Sequence, residues 1–390
     1  MISKIKKLGD LLDIQNGYAF PSKKFSFDTG IPLIRIRDIS NGYETQVNFD
    51  GEYDNKYIVK KGDLLIGMDG EFKCYDWKGK NSLLNQRVCR LQNFSELLHP
   101  KFLFYGINKY LKEIEDKTEY TTVKHISSTK IKNIKFPLFS INEQKRIVKK
   151  LDTCMEQIDK AIQNVEQNIQ NSEDFLQSSL DSIIFNNSFS NKKMINNLCE
   201  FNRGLTFSKI DRVENSSFKV LRANNIHLDD YKINFEKLQF LDESKSYNES
   251  KKIRKNSVLM CISSGSKKHL GKIAFIDDHY DNYYFGGFMG QLTPLKDINP
   301  KYFFYCLKTS DFKYLIQSLT DGMGINNLKY DSIKSFEIPT ISIDKQDALV
   351  NQIEQTISNH DSLKFNYNQQ LTSLNELKQS ILEKAFNGEL

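Results

Sequence analysis

A chain of 390 residues can bury more than one hydrophobic core, so we expect two or three domains. Its 27% charged and 12% aromatic residues exclude an intrinsically disordered protein and indicate a soluble globular one. The formal net charge of +6 is mildly basic, which is too weak a signal to identify a nucleic-acid-binding protein by itself.

Residues 1–139 have the pattern of a mixed α/β globule. Short β-rich segments, such as residues 32–36 and 63–66, alternate with turns rich in Gly, Asn and Asp. A proline at an early position predicts the start of a helix at residues 99–102. We therefore assign residues 1–139 to a first globular domain.

Residues 140–187 are predicted to form a long helix. No proline occurs between residues 142 and 186, and Ser140 and Glu143 have the spacing of a capping box at its start. Apolar residues recur every seven positions, with a companion set on a second seam, as a coiled coil requires. The two seams consist of Val148, Leu151, Met155, Ile158, Ile162, Val165, Ile169, Leu176 and Ile183.

The second half of the chain repeats the first. The segment around Gly17 matches the segment around Gly204 at an offset of 187 residues, and the offset rises to 202 by the end of the copy. This period is far too long for an array of short repeats and indicates a duplicated domain with its exit helix. We predict a second globular domain at residues 188–340 and a second long helix at residues 341–390.

The second helix carries a looser stripe, which Lys364 and Lys378 interrupt. Its members are Ile353, Ile357, His360, Tyr367, Leu371, Leu374 and Ile381. Since this helix begins at the second globule, it can pair with the first helix only by running antiparallel to it. A helix of ~44 residues is about 66 Å long, close to two turns of B-DNA. The predicted fold is α+β: two α/β domains separated by two long antiparallel coiled-coil helices, in a pseudo-twofold internal repeat.

This duplicated pattern resembles the specificity subunits of type I restriction-modification systems over essentially the whole chain. The resemblance is carried by the Gly-Tyr-Ala-Phe turn at residues 17–20, the strand at residues 59–66 and the segment Phe-Pro-Leu-Phe-Ser-Ile-Asn-Glu-Gln-Lys-Arg-Ile at residues 136–147. The second copy of the last segment keeps Gln346 but lacks a counterpart of Glu143.

The resemblance implies two target-recognition domains, residues 1–139 and 188–340, each reading one half of a bipartite, asymmetric target in double-stranded DNA. It implies that the helices at residues 140–187 and 341–390 dock two modification (methyltransferase) subunits, and through them restriction (endonuclease and translocase) subunits. The chain itself is expected to be non-catalytic, with S-adenosylmethionine, ATP and Mg on the partner subunits. The residues expected to serve the coiled coil and docking are Met155, Ile158, Ile162, Val165, Ile169, Leu176, Ile353, Ile357, Tyr367, Leu371, Leu374 and Ile381.

Loops that follow the predicted strands carry the residues expected to contact DNA. Arg and Lys can bond guanine, Gln and Asn can bond adenine, and hydroxyls and exposed backbone amides can contact phosphates. In the first copy the candidates are Asp69, Glu71, Lys73, Gln86, Arg87, Thr122, Lys124 and His125. In the second copy they are Ser264, Lys267, Lys268, His269, Gln291, Gly322, Gly324, Asn326 and Asn327.

Two segments of the sequence resemble catalytic motifs, but each is explained better by a structural role. Residues 299–302, Asn-Pro-Lys-Tyr, lack the second proline of the Asn-Pro-Pro-Tyr motif of adenine methyltransferases and fit a helix start. Asp63, Asp69, Glu71 and Lys73 have the composition of a metal-dependent nuclease site, but the second copy has no equivalent acids.

No glycine-rich nucleotide-binding loop, zinc-ligand spacing, signal peptide or membrane span is evident in the sequence, so we expect a cytoplasmic protein without a metal site.

An alternative is a coiled-coil scaffold whose two globules bind proteins and not DNA. The modest net charge favours this alternative, whereas two matched domains with basic edges favour DNA. Phosphate neutralisation makes DNA affinity fall steeply with salt, so salt-dependent binding to a specific duplex would distinguish the two.

Overall fold

The computed structural model describes residues 4–118, 124–185, 191–227, 231–321 and 327–390. The chain forms two compact units, the first made of Met1–Val165 with Gln369–Leu390 and the second of Glu166–Asn368. Each unit contains an α/β domain and a segment of each of two long helices. None of the helices in the described ranges is long and apolar enough to cross a membrane.

The first unit is built from short strands and two helices that precede the first long helix. Its elements are β1 (Lys4–Lys7), β2 (Asp13–Asn16), β3 (Phe25–Ser26), β4 (Ile31–Ile34), β5 (Asn48–Phe49), β6 (Ile58–Val59), β7 (Leu64–Gly67), β8 (Cys74–Asp76), β9 (Ser82–Leu84), β10 (Val88–Gln92), α1 (Pro100–Asp116), α2 (Ser128–Lys132), β11 (Lys135–Leu138) and the first part of α3 (Ile141–Ile184). The strands form sheets of order β2-β10-β7-β8, β3-β5-β4-β9-β6 and β1-β11. Neighbouring strands are antiparallel, except that β4 and β9 are parallel.

The second unit repeats this connectivity with two differences. Its elements are β12 (Lys192–Met194), β13 (Cys199–Arg203), β14 (Arg212–Val213), β15 (Phe218–Leu221), β16 (Gln239–Leu241), β17 (Ser257–Cys261), β18 (Ile273–Ile276), β19 (Tyr283–Phe285), β20 (Met289–Pro294), α4 (Pro300–Cys306), α5 (Ser310–Asp321), α6 (Tyr330–Ile333), β21 (Glu337–Pro339) and the first part of α7 (Ile343–Asn387). The sheets have the orders β13-β20-β17-β18, β14-β16-β15-β19 and β12-β21, and β15 and β19 form the parallel pair. In the described ranges its second sheet has four strands where the first unit has five, and two helices, α4 and α5, lie between β20 and α6 where α1 alone lies between β10 and α2. The prediction of a duplicated α/β domain is confirmed.

A glycine in each copy allows two backbone segments to approach closely. A Cβ atom on Gly17 would lie 2.0 Å from the carbonyl oxygen of Asn85, and one on Gly204 would lie 2.1 Å from the carbonyl oxygen of Gly286. Heavy atoms that are not bonded cannot approach to such distances, so a larger residue would force the two segments apart. The matched glycines of the sequence repeat therefore mark the same contact in both domains.

The long helices are part of the domain cores. In the first unit, Leu151 of α3 and Ala385 of α7 belong to the same buried cluster as Phe102 and Phe136. The ring of Phe386 lies 4.7 Å from that of Phe102, measured between centroids. Because burial of apolar surface is the main stabilising term in folding, each domain and its helix segments are expected to unfold together.

The same packing occurs in the second unit. Leu180 and Ile184 of α3 share a buried cluster with Ile353 of α7 and with Tyr302 and Phe303 of α4. Each long helix therefore contributes apolar residues to the core of both units. The prediction of two long helices, one behind each domain, is confirmed.

Segments of α3 and α7 pair antiparallel within each unit. In the first unit Lys378 Nζ lies 2.6 Å from Asp159 Oδ1, and Ala385 shares a core with Leu151. In the second unit, Lys364 Nζ lies 2.7 Å from Glu173 Oε1. The two lysines that interrupt the apolar stripe of α7 are thus bonded to acids of α3.

The apolar stripes predicted for the helices are covered to different degrees. Met155, Ile158, Val165 and Ile353 are buried. Val148 and Leu151 are buried as well. The remaining stripe residues are partly buried, namely Ile162, Ile169, Leu176, Ile183, Ile357, His360, Tyr367, Leu371, Leu374 and Ile381. Side chains on these seams face the neighbouring helix or the domain, so a surface that docks another protein must include residues outside the seams.

One of the two hydrogen bonds of the capping box predicted at the start of α3 is formed. The hydroxyl of Ser140 accepts a hydrogen bond from the backbone N–H of Glu143 (3.3 Å). The carboxylate of Glu143 pairs with the guanidinium of Arg146, which lowers the pKa of that carboxyl below its ordinary value.

Candidate nucleic-acid interface

Three chain segments of the first unit meet at the end of β7. The backbone N–H of Met68 donates to the carbonyl of Arg87 (3.0 Å), just before β10. The N–H of Ile126 donates to the carbonyl of Met68 (2.9 Å), and Asp69 forms an isolated β-bridge with His125. These backbone contacts bring together side chains from segments that are far apart in sequence.

Asp69, Arg87 and His125 form a cluster on these segments, which we name the first loop cluster. Asp69 Oδ2 lies 3.2 Å from Arg87 Nη1, and Asp69 Oδ1 lies 2.6 Å from His125 Nδ1. The Asp69 side chain is 19% exposed, whereas those of Arg87 and His125 are 57% and 51% exposed. A guanidinium has five N–H donors, so its pairing with one carboxylate leaves donors for a ligand. The carboxylate therefore orients two groups that face solvent.

Glu71 and Lys73 lie on the loop that joins β7 to β8, and both are exposed. The loop is anchored to α1, because the backbone N–H of Phe72 donates to Glu115 Oε2 (3.0 Å). A hydrogen bond from Lys112, and after it the bond from Phe72, holds the pKa of the Glu115 carboxyl below its ordinary value. Glu115 thus remains ionised and keeps the loop in place.

The remaining candidates of the first copy lie on the other two segments. Gln86 is exposed and adjoins Arg87. Lys124 Nζ donates to the carbonyl of Glu115 (2.8 Å), so this lysine also helps to hold the loop region. Thr122 lies outside the described residues.

The second unit has the same backbone arrangement at the end of β17. The N–H of Ile262 donates to the carbonyl of Phe288 (2.9 Å), just before β20. The N–H of Leu328 donates to the carbonyl of Ile262 (2.7 Å), and Ser263 forms an isolated β-bridge with Asn327. Each of the three backbone contacts described for the first cluster therefore has a counterpart at the corresponding position.

The side chains on the second arrangement are different. We name Ser263, Phe288 and Asn327 the second loop cluster. Phe288 takes the place of Arg87, and its side chain stands out from the surface with 65% exposure. Asn327 is also exposed and takes the place of His125. The second cluster therefore offers an apolar ring and an amide where the first offers two cationic or hydrogen-bonding groups.

The loop from β17 to β18 carries the other candidates of the second copy. It has eleven residues, against six between β7 and β8. Lys267 and Lys268 are exposed in a short 3-10 helix, whereas His269 is partly buried. The hydroxyl of Ser264 accepts a hydrogen bond from the backbone N–H of Ser266 (3.2 Å). The two lysines are the basic groups that this loop presents to solvent.

Gln291 is an exception among the predicted contacts, because it is completely buried in β20. Its Oε1 accepts hydrogen bonds from the backbone N–H of Arg254 (2.9 Å) and the hydroxyl of Ser257 (3.2 Å). The strand lies inside its sheet, between β13 and β17. The prediction that Gln291 contacts DNA is therefore withdrawn, since its side chain serves the core. Gly322, Gly324 and Asn326 lie outside the described residues.

Phe288 and Ser263 are absent from the residues predicted from sequence. Phe288 stands one residue before β20, as Arg87 stands one residue before β10. An extension of the matched segments across the two copies would have paired these positions. Phe288 has no hydrogen-bonding side chain, but an exposed aromatic ring can contact the methyl group of thymine.

The residues that suggested catalysis have structural partners. Asp63 Oδ2 accepts hydrogen bonds from the backbone N–H of Lys60 (2.8 Å) and from Arg90 Nη1 (3.0 Å). Asn299 caps α4, and the hydroxyl of the buried Tyr302 donates to the carbonyl of Pro339 (2.9 Å). Within the described residues, no group of three or more His, Cys, Asp and Glu side chains is placed to hold a metal ion.

A groove of about 820 Å³ lies between α3 and α7 in the second unit. Phe175 and Leu363 line it with side chains that are 70% and 41% exposed, and Leu176 and Tyr367 contribute further apolar surface. His360 also lines it, and in the part of the chain that the structure describes its Nε2 is buried without a hydrogen-bond partner. A groove that combines exposed apolar side chains with an unsatisfied ring nitrogen is typical of a surface that another molecule covers.

A family model described as the type I restriction modification DNA specificity domain matches residues 3–169 and again residues 188–380. The two matches correspond to the two copies found in the sequence. The chain is 29% identical over 411 residues to the type I restriction enzyme EcoBI specificity subunit of Escherichia coli, which covers 98% of this chain and 85% of that protein. It is 30% identical over 191 residues to the EcoKI specificity subunit of Escherichia coli strain K12, over 48% of this chain and 40% of that protein.

Solved structures share the fold. A chain from a study of complex assembly and conformational transition in the type I restriction-modification system aligns over 100% of this chain and 98% of its own, with a TM-score of 0.75 and 16% identity. The HsdS subunit from Thermoanaerobacter tengcongensis aligns over 100% of this chain and 97% of its own, with a TM-score of 0.54 and 15% identity.

Proposed function

The chain belongs to the family of type I restriction-modification specificity subunits, and from that premise we propose that it reads a bipartite target in double-stranded DNA through its two α/β domains. In this proposal the chain catalyses no reaction itself. It brings two modification subunits, and through them restriction subunits, to the DNA. Those partners hold S-adenosylmethionine, ATP and Mg.

The observation that carries the proposal is the pair of loop clusters. Both domains bring three segments together by equivalent backbone hydrogen bonds, yet the exposed side chains on them differ. A shared backbone with different side chains suits two domains that perform the same task on different sequences. Base edges in the major groove are distinguished by such exposed hydrogen-bonding and apolar groups.

Basic residues beside the clusters suit contacts with phosphates. Lys73 adjoins the first cluster on the β7–β8 loop, and Lys267 and Lys268 adjoin the second on the β17–β18 loop. Contacts from lysine to phosphate position a protein on DNA without reading its sequence. In this proposal the lysines provide affinity and the clusters provide specificity.

The groove between α3 and α7 is proposed as a docking surface for a modification subunit. An exposed phenylalanine and leucine flank the groove, and the partly buried seam residues Leu176 and Tyr367 extend its apolar surface. The occupant would insert an apolar side chain beside Phe175 and supply a hydrogen-bond partner for His360 Nε2. Central aromatic residues of this kind often dominate the binding energy of an interface.

Selection from a random duplex pool tests the proposed DNA recognition. The full chain is incubated with the pool, alone and with a modification subunit of the family, and bound duplexes are sequenced. The expected result is a motif with two separated halves. The logarithm of the binding constant should fall linearly with the logarithm of the salt concentration, with a slope of about −0.9 for each phosphate neutralised. Binding to proteins with no enriched DNA sequence and no salt-dependent duplex affinity would instead support the scaffold alternative.

A further inference from the structure

The two loop clusters occupy equivalent positions and differ in chemistry. At the position before the central strand, one domain has an arginine and the other a phenylalanine. At the bridge position, one has a histidine and the other an asparagine. Because the backbone contacts at these positions correspond, the side chains on them can give the two clusters different recognition.

The first loop cluster has the chemistry to recognise guanine. Arginine can donate two parallel hydrogen bonds to the O6 and N7 atoms of guanine, and this is the commonest specific contact in the major groove. Asp69 holds the guanidinium at 3.2 Å, and the Arg87 side chain keeps 57% of its surface exposed. A fixed orientation reduces the side-chain entropy that is lost when the base is bound.

The second loop cluster has the chemistry to recognise an A·T pair. The amide of asparagine can both donate to and accept from adenine, and an apolar ring can contact the C5-methyl group of thymine. Asn327 and Phe288 are both exposed and come from the two segments that flank Ile262. A phenylalanine ring cannot replace the two donors that guanine requires.

We propose that the equivalent loop clusters determine one base pair in each half of the target. Arg87, oriented by Asp69, selects a G·C pair in one half, and Phe288 with Asn327 selects an A·T pair in the other. This inference rests on the proposed function and assigns specificity within it. The other bases of each half are read by residues outside the two clusters.

The test transfers the chemistry of one cluster to the other. The first variant is Arg87→Gln, since glutamine pairs with adenine where arginine pairs with guanine. The second combines Ser263→Asp with Phe288→Arg, which recreates the aspartate–arginine pair on the second backbone. Lys109→Gln, at an exposed position of α1 outside both clusters, is the matched control. Each full-length variant is taken through the random-duplex selection beside the wild type, and thermal melting checks its folding.

Each cluster variant is expected to change the base preference at one base pair of the target. Arg87→Gln should lower affinity for the wild-type sequence by about 5- to 150-fold and replace or relax a single G·C pair in one half. The double variant should introduce a G·C preference at a single A·T pair of the other half, and Lys109→Gln should select the wild-type motif.

Two results would overturn the inference. If the wild type selects a bipartite motif that both cluster variants leave unchanged, the clusters do not determine specificity although the proposed function stands. If folded wild type selects no sequence at all, the proposed function fails and the inference fails with it.

Discussion

The side-chain oxygen of Gln144 accepts a hydrogen bond from the backbone N–H of His99 at 2.8 Å. The side-chain nitrogen of the same residue donates to the carbonyl oxygens of Leu97 (2.8 Å) and Phe139 (2.9 Å). Gln144 is completely buried, so one residue of α3 satisfies three backbone groups at the start of α1 and of α3. It joins the helix to the domain that precedes it.

Replacement of Gln144 by leucine should destabilise the first unit. The substitution removes the partner of the buried carbonyl of Phe139 and of the partly buried backbone groups of His99 and Leu97, which should lower the free energy of unfolding by about 2–4 kcal/mol. Urea denaturation followed by circular dichroism measures the change. The exposed Gln157 on the same helix provides the control, and Gln157→Leu should change stability by less than ~0.5 kcal/mol. Equal effects of the two substitutions would contradict the assigned role.

Gln346 of α7 makes equivalent hydrogen bonds in the second unit. Gln346 Oε1 accepts from the backbone N–H of Asn299 (2.8 Å), and its Nε2 donates to the carbonyl of Ile341 (2.8 Å). Gln346→Leu should therefore destabilise the second unit to a similar extent.

Gly17→Ala should destabilise the first unit because of steric overlap. The added Cβ would lie 2.0 Å from the carbonyl oxygen of Asn85, which belongs to the backbone and cannot rotate away. We expect a loss of at least about 2 kcal/mol in the free energy of unfolding, measured by thermal or chemical denaturation. Gly265→Ala is the control, since among the described residues no atom beyond its chain neighbours lies within 4 Å of a Cβ built there. A neutral Gly17→Ala variant would show that the two segments can separate at little cost.

Lys308 should make stability depend on alkaline pH. Its Nζ lies 4.2 Å from the ring centroid of Tyr231, and burial, aided by the charge of Lys313, lowers its pKa to about 8 from the ordinary value of 10.5. The unfolded chain then binds a proton more tightly than the folded chain between these two values. The free energy of unfolding of the wild type should therefore rise, relative to Lys308→Met, as the pH increases from about 8 to about 10.5.

The size of this effect is at most about 3.5 kcal/mol, because each unit of pKa difference corresponds to about 1.4 kcal/mol. Denaturation of both proteins at several pH values measures it. Burial raises the pKa of several cysteines and tyrosines and so adds its own pH dependence, but these residues are present in both proteins and their contributions cancel in the difference. A difference in stability that falls with pH would contradict the depressed pKa.

Phe175→Ser should weaken the binding of a modification subunit. The side chain is 70% exposed at the groove between α3 and α7, so its removal should barely alter folding. If it is a central contact, affinity should fall by about 30-fold or more, as titration calorimetry would measure. Phe365 is 62% exposed on α7 but does not line the groove, and Phe365→Ser is the matched control. Equal losses in both variants would place the contact elsewhere.

The sequence alone determined the duplicated architecture. Paired motifs around Gly17 and Gly204 and heptad spacing in α3 are local patterns, and each reports directly on backbone geometry. Local signals of this kind can be recognised in a sequence without knowledge of the tertiary fold. The stripe of α7 was harder to interpret, because Lys364 and Lys378 read as interruptions until the structure placed Glu173 and Asp159 opposite them.

The tertiary structure decided which of the candidate residues meet and which face solvent. Asp69 and His125 are 56 residues apart in sequence, and only the bridge between their segments brings the carboxylate to the imidazole. Gln291 resembles a base-reading residue in sequence, yet the pairing of β20 with strands on both sides places it in the core. Residue type and spacing describe what a side chain can bond, whereas long-range strand pairing and burial determine which partners it can reach.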